Sequence, residues 1–125
     1  VTKPEQMVGF SFLPLLKGQK IPWREQIFYE YYWEHEFPQT PTMHGVRTDR
    51  YKYIRYHGVW DTNELYDLQE DPAETKNLIA SPAHQEIIKK LNKALYDWLE
   101  STDGMNIPLK RTERPHFDHR NIGNF

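Results

Sequence analysis

The spacing of apolar and polar residues changes along this chain, and each change predicts an element. Between Arg24 and Trp33 the spacing is two: Ile27, Tyr29, Tyr31 and Trp33 fall on one side, and Phe28, Glu30 and Tyr32 on the other. Aromatic and β-branched residues dominate this run, which predicts a strand. "MHGVRT" and "RYKYIRYH" repeat the pattern as two more strands, with a tight turn at Thr48, Asp49 and Arg50. Asp49 suits that turn because its carboxylate can bond the local backbone. "GVWDT" makes the next turn and "NELYDL" a fourth strand. Short strands with short connections predict an antiparallel sheet.

The spacing then lengthens to three and four. Ile87, Ile88, Leu91, Ala94, Leu95, Trp98 and Leu99 mark one face of a helix from Pro82 to about Thr102. Ser81 is placed to cap it, Pro82 fits its first turn, and Gly104 follows its end. Lys89, Lys90, Lys93, Asp97 and Glu100 take the other side. That apolar stripe needs a cover, and the sheet is the only large one the chain offers. The predicted class is therefore α+β, a four-stranded antiparallel sheet packed against one long C-terminal amphipathic helix.

Three shorter stretches complete the pattern. "SFLPLLKG" reads as a short helix capped by Ser11 and ended by Gly18, apolar nearly all round and so expected to be buried. "DPAETKNL" reads as one or two helical turns, with Asp71 as cap, Pro72 at the first position and Glu74 reaching back. Residues 34–42, with Pro38 and Pro41, read as a loop, and 105–125 as an arm or a disordered tail.

The chain has 125 residues, enough for one domain, and its 14% aromatic content supplies much of the core material. A net charge of −2 argues against a dedicated nucleic-acid binder. No run is long enough to span a bilayer. With no cysteine, disulfides and thiolate metal sites are excluded. The first residue is Val1 rather than Met, which leads us to expect a fragment or a processed product.

The candidate chemistry is sparse. His35 and His44 are nine residues apart across a proline-containing loop, unlike the helical pair a zinc hydrolase uses. His116, Asp118 and His119 lie in the tail and read as solvated. The stretch "RTDRYKYIRY" could stack single-stranded bases or a glycan. Against this, Tyr51, Tyr53 and Tyr56 read as packing residues, and Arg50, Lys52 and Arg55 as a solvated face. Ser11, Ser81 and Ser101 are not set in any nucleophile pattern.

The order of these motifs carries a resemblance. "GFSFLPLLKG", "IFYEYYWE", "HGVRTDRYKYIRY" and "NELYDLQEDPAETKNL", followed by the amphipathic helix, resemble the C-terminal subdomain of formylglycine-dependent sulfatases from about Gly9 to Leu99. One departure is Val8, where the family often has an acidic or polar residue.

The resemblance implies a division of the chain into a linker at 1–8, the subdomain at 9–104 and the tail at 105–125. It implies a partner, the catalytic N-terminal domain, carrying a formylglycine made within Cys/Ser-x-Pro-x-Arg and a calcium ion. Neither group is expected here: Leu13, Ala83 and Asp103, not proline, stand two after the three serines. The implied role is to wall the pocket for a sulfated carbohydrate or similar ester without catalysing alone. His44, Trp33 and His35 are the expected substrate contacts, a neutral imidazole bonding a sugar hydroxyl and an indole stacking on the ring. Arg47 is expected to pair with an acid across the sheet. The resemblance also implies a periplasmic, secreted or lysosomal location. The alternative from another class is a free-standing module that binds glycans or single-stranded nucleic acid through the Arg/Tyr hairpin.

Overall fold

In a computed structural model the described residues are 9–34, 36–37, 39–58 and 62–106. Four strands, β1 (Ile27–Tyr31), β2 (Met43–Arg47), β3 (Tyr51–Tyr56) and β4 (Glu64–Asp67), form one antiparallel sheet in sequence order. The register pairs Phe28 with Val46, Val46 with Tyr53, and Tyr53 with Leu65. Because side chains alternate along a strand, these four residues project from one face. The predicted α+β class holds.

That face carries the core. A 3₁₀ turn (Pro82–His84) leads into the long helix α2 (Gln85–Ser101). Its Leu91, Leu95 and Leu99 join Val46, Tyr53 and Leu65 as the buried apolar cluster. Full burial contributes about 1.5–3 kcal/mol for each such leucine. Phe28 of β1 stacks flat on Trp98 of α2, with centroids 4.7 Å apart and 4° between planes. Tyr53 buries its ring and donates its hydroxyl to Asn92 Oδ1 at 3.1 Å.

The ends of α2 differ in detail from the expectation. The Ser81 hydroxyl bonds Nδ1 of His84 at 2.8 Å instead of capping a backbone N–H. At the other end Asp103 takes the left-handed conformation, φ 60°, and Gly104 N–H returns to Leu99 C=O at 2.7 Å. That six-to-one bond closes the helix in the Schellman manner.

Two loops also depart from it. In the β2–β3 turn the bonding group is Thr48, not Asp49: Thr48 Oγ1 accepts from Arg50 N at 3.3 Å and Tyr51 N at 2.9 Å. The segment after Asp71 is not helical. Asp71 uses its carboxylate to accept from Thr75 Oγ1 at 3.0 Å and Lys76 N at 2.8 Å. Glu74 adopts φ 55° and forms an ion pair with Lys52. Asn77 then braces the edge of β4, accepting Leu65 N at 3.1 Å and donating to Asn63 O at 3.1 Å.

A short helix, α1 (Leu13–Leu16), forms where predicted, with Pro14 in its first turn and Gly18 at φ 70° beyond its end. Its predicted burial does not hold within this chain. Phe12, Leu13 and Leu16 are all exposed. The expected linker at 1–8, residues 107–125 of the expected tail, and residues 59–61 of the predicted turn lie outside the described residues.

Candidate functional site

The loop between β1 and β2 returns against the exit of β3, and four residues tie them together. Thr42, 2% exposed, accepts the Trp33 backbone N–H on its Oγ1 at 2.9 Å. Its carbonyl accepts the His57 N–H at 2.9 Å. His57 Nε2 then lies 2.8 Å from Nδ1 of His44. A continuous path therefore runs from Trp33 through Thr42 and His57 to His44.

His44 projects from the helix-facing side, next to Glu30 on β1 and Arg55 on β3. It has no exposed surface. The Tyr32 ring meets it edge-on at 5.5 Å, and the Tyr32 hydroxyl donates to Glu30 Oε2 at 2.7 Å. Burial lowers the His44 pKa, and the Glu30 charge opposes that shift. Burial, with His44 and Arg55 beside it, lowers His57 to about 4. Burial and the bond to Glu30 push Tyr32 up to about 12. At neutral pH both imidazoles are uncharged.

The pair shares one proton, and the surroundings decide where it sits. Nε2 of His44 is buried and has no hydrogen-bond partner among the described residues. A proton there would be a buried donor without an acceptor, the rarer and costlier defect. The favoured tautomer therefore has His44 donating from Nδ1 to His57 Nε2. His57, half-buried, then carries its own proton on Nδ1.

Of the expected contacts, Trp33 and His44 are brought into one cluster, Trp33 half-buried and His44 wholly covered. His35 lies outside the described residues. Direct contact between His44 and a sugar is not what this burial offers; the ring is placed to hold His57. Sequence reasoning missed His57, which follows the last residue of β3. The register would have found it: Met43 faces Tyr56, so Thr42 and His57 come next on their strands.

The charged hairpin also differs from the expectation. Arg50 pairs with Asp67 at 2.8 Å, and Lys52 with Glu74, so two of its cations are matched. Arg55 is not solvated: its guanidinium lies over the Tyr96 ring at 5.5 Å, and its Nε is buried without a partner among the described residues. Tyr53 is buried and cannot stack a base. Among the described residues no acid pairs with Arg47, whose register neighbours are Ile27 and Lys52. Among the described residues no three His, Asp or Glu side chains converge to hold a metal ion, and no helix is long and apolar enough to cross a membrane.

Known proteins share this sequence and fold. Residues 1–101 match the family model described as N-sulphoglucosamine sulphohydrolase, C-terminal. A Delta 4,5-hexuronate-2-O-sulfatase of Bacteroides thetaiotaomicron is 34% identical over 79% of this chain and 20% of its own length. An N-acetylglucosamine-6-O-sulfatase of the same organism is 32% identical over 82% of this chain and 18% of its own length. A structure solved in complex with its substrate D-glucosamine-2-N,6-O-disulfate superposes with a TM-score of 0.73 and 25% identity, over 89% of this chain and 23% of that one. The chain thus spans about a fifth of the length of the curated relatives it matches. On sequence and fold together, it belongs to the C-terminal domain family of the sulfatases typified by N-sulphoglucosamine sulphohydrolase.

Proposed function

We propose that this chain forms part of the substrate pocket of a sulfatase that acts on a sulfated carbohydrate, while the bond-breaking groups reside elsewhere in the parent protein. The observation that carries the reading is the Trp33–Thr42–His57–His44 path. It ties the backbone of an aromatic residue and a neutral imidazole into one loop cluster, within a domain whose relatives are named for sulfated sugars. An indole offers a sugar ring a flat apolar face, and an uncharged imidazole N–H can donate to a hydroxyl or a sulfate oxygen. In this reading Trp33 and His35 are the residues that contact the substrate. His44 is a positioning residue that sets the tautomer of His57.

The nucleophile and the metal do not fit here. The chain has no cysteine, none of its serines is followed two residues on by proline, and no described acidic cluster could hold calcium. Formylglycine and calcium are therefore assigned to the rest of the parent. Its catalytic portion is the partner of this domain, and a periplasmic, secreted or lysosomal location follows from the resemblance.

In the full-length parent, His44→Ala should lower kcat/KM for a sulfated monosaccharide while leaving turnover of nitrophenyl sulfate unchanged. His44→Asn, whose side-chain amide places a donor near Nδ1, should recover part of the loss. Equal loss on both substrates would mark a folding role alone, and no loss on either would remove the assignment.

A further inference from the structure

Glu30, His44 and Arg55 are direct neighbours across β1, β2 and β3, and alternation places all three on the helix-facing side. The row lies next to Phe28, Val46 and Tyr53, which the α2 stripe covers. His44 has no exposed surface, and its Nε2 is one of two buried side-chain polar atoms without a hydrogen-bond partner among the described residues. The other is Nε of Arg55, the residue directly opposite it. Buried polar atoms are ordinarily bonded, so two orphans on facing residues point to a shared partner.

The two atoms have opposite needs. Arg55 Nε carries an N–H and can only donate. His44 Nε2 carries a lone pair in the tautomer that gives its Nδ1 proton to His57. They do not bond each other directly. Directly paired residues leave their strands with Cβ atoms about 4.5–5.5 Å apart. Two hydrogen bonds of about 2.9 Å through one oxygen span roughly that distance. The far end of Arg55 is committed to α2: its guanidinium lies over the Tyr96 ring at 5.5 Å, and Nη1 is 3.5 Å from Asn92 Oδ1. That anchorage keeps Nε, nearer the strand, beside His44. Charge narrows the bridging group. An anion would meet the Glu30 carboxylate on the other side of His44 and a lone pair where it needs a donor. A metal ion would meet the Arg55 cation. A water accepts from one atom and donates to the other, the ordinary role of a buried water.

We propose that one buried water accepts from Arg55 Nε–H and donates to His44 Nε2, which makes Arg55 a positioning residue for the histidine pair. The bridge keeps the His44 proton on Nδ1. His57 then accepts at Nε2 and carries its own N–H on Nδ1. The effect of this bridge on turnover rests on the reading of His57 as part of a sugar pocket; the bridge itself does not.

The test uses the full-length parent. Its crystal structure should show one water within about 3.2 Å of both Arg55 Nε and His44 Nε2. Nitrogen-15 spectra of the histidine-labelled parent should show His44 protonated at Nδ1 and bare at Nε2. Neither measurement needs a variant. Arg55→Lys keeps the cation but puts a methylene where the Nε–H stands, so His44 should then populate both tautomers. His84, whose Nδ1 is held by Ser81, should keep its spectrum. On the same variant kcat/KM for a sulfated monosaccharide should fall several-fold, with turnover of nitrophenyl sulfate unchanged. An Nε2-protonated His44 in the unaltered parent would overturn the bridge. So would a direct bond from Arg55 to His44, or an Arg55→Lys variant in which His44 stays protonated only at Nδ1. A shifted tautomer with unchanged sugar turnover would support the bridge and overturn the pocket reading instead.

Discussion

Nδ1 of His44 lies 2.8 Å from Nε2 of His57. At that distance the two rings hold one proton between them, and a second on the facing nitrogen would set two N–H donors against each other and leave a cation in a covered site. The arrangement therefore depends on both rings staying neutral, and pH tests it directly.

The His57 pKa is about 4 in the fold, below its ordinary value of 6.5. The unfolded chain thus binds its proton first as pH falls. Stability from this group is fully present above about pH 6.5, declines through the interval down to about pH 4, and is gone below it. The loss should be about 1–2 kcal/mol for a half-buried ring, after allowance for solvent screening. His44 is shifted the same way and adds to the slope. Urea denaturation across this interval should show the decline, and His57→Gln should flatten it. An unchanged slope in the variant would mean that the pair is not what titrates.

The core makes a second prediction. Leu95 has no exposed surface and sits in the middle of the α2 stripe, while Leu16 on α1 is 72% exposed. Leu95→Ala should cost about 2–5 kcal/mol, the range for deleting a buried leucine side chain. Leu16→Ala should leave the stability of this chain nearly unchanged. Comparable losses from the two would show that α1 is packed after all.

The end of α2 gives a pair of opposite signs. Asp103 holds φ 60°, which glycine adopts without a steric penalty, so Asp103→Gly should stabilise by about 0.5–1 kcal/mol. Gly104 has no such freedom to give up its place. A Cβ there would sit 2.8 Å from Leu99 Cδ2, so Gly104→Ala should destabilise by about 1–3 kcal/mol. Thermal unfolding of the two variants distinguishes them by the direction of the Tm shift.

Much of this fold could be read in the sequence, because two periodicities carry it. Alternation in "RYKYIRYH" and the three-and-four spacing from Ile87 to Leu99 reflect which side chains must leave water. The structure obeys both. The expectations that failed concern polar groups with more than one available partner. Asp71 could cap a helix or close a loop, and Glu74 could reach back or pair with Lys52. The second choice wins in each case, once β3 brings Lys52 into range. The exposure of α1 was illegible for a different reason: an apolar segment announces that it needs a cover, not which polypeptide provides it. In the candidate site, His44 is indicated by the family resemblance around Gly45 and Val46, not by any periodicity. Its tether to His57 appears only when β2 and β3 are set in register.

The most direct test of the pocket-wall account is Trp33→Ala in the full-length parent, assayed on a sulfated monosaccharide and on nitrophenyl sulfate. The account predicts that kcat/KM for the sugar falls by about ten-fold, or about 1.4 kcal/mol of transition-state binding, while the aryl ester is turned over as before. Unchanged turnover of the sugar would contradict it.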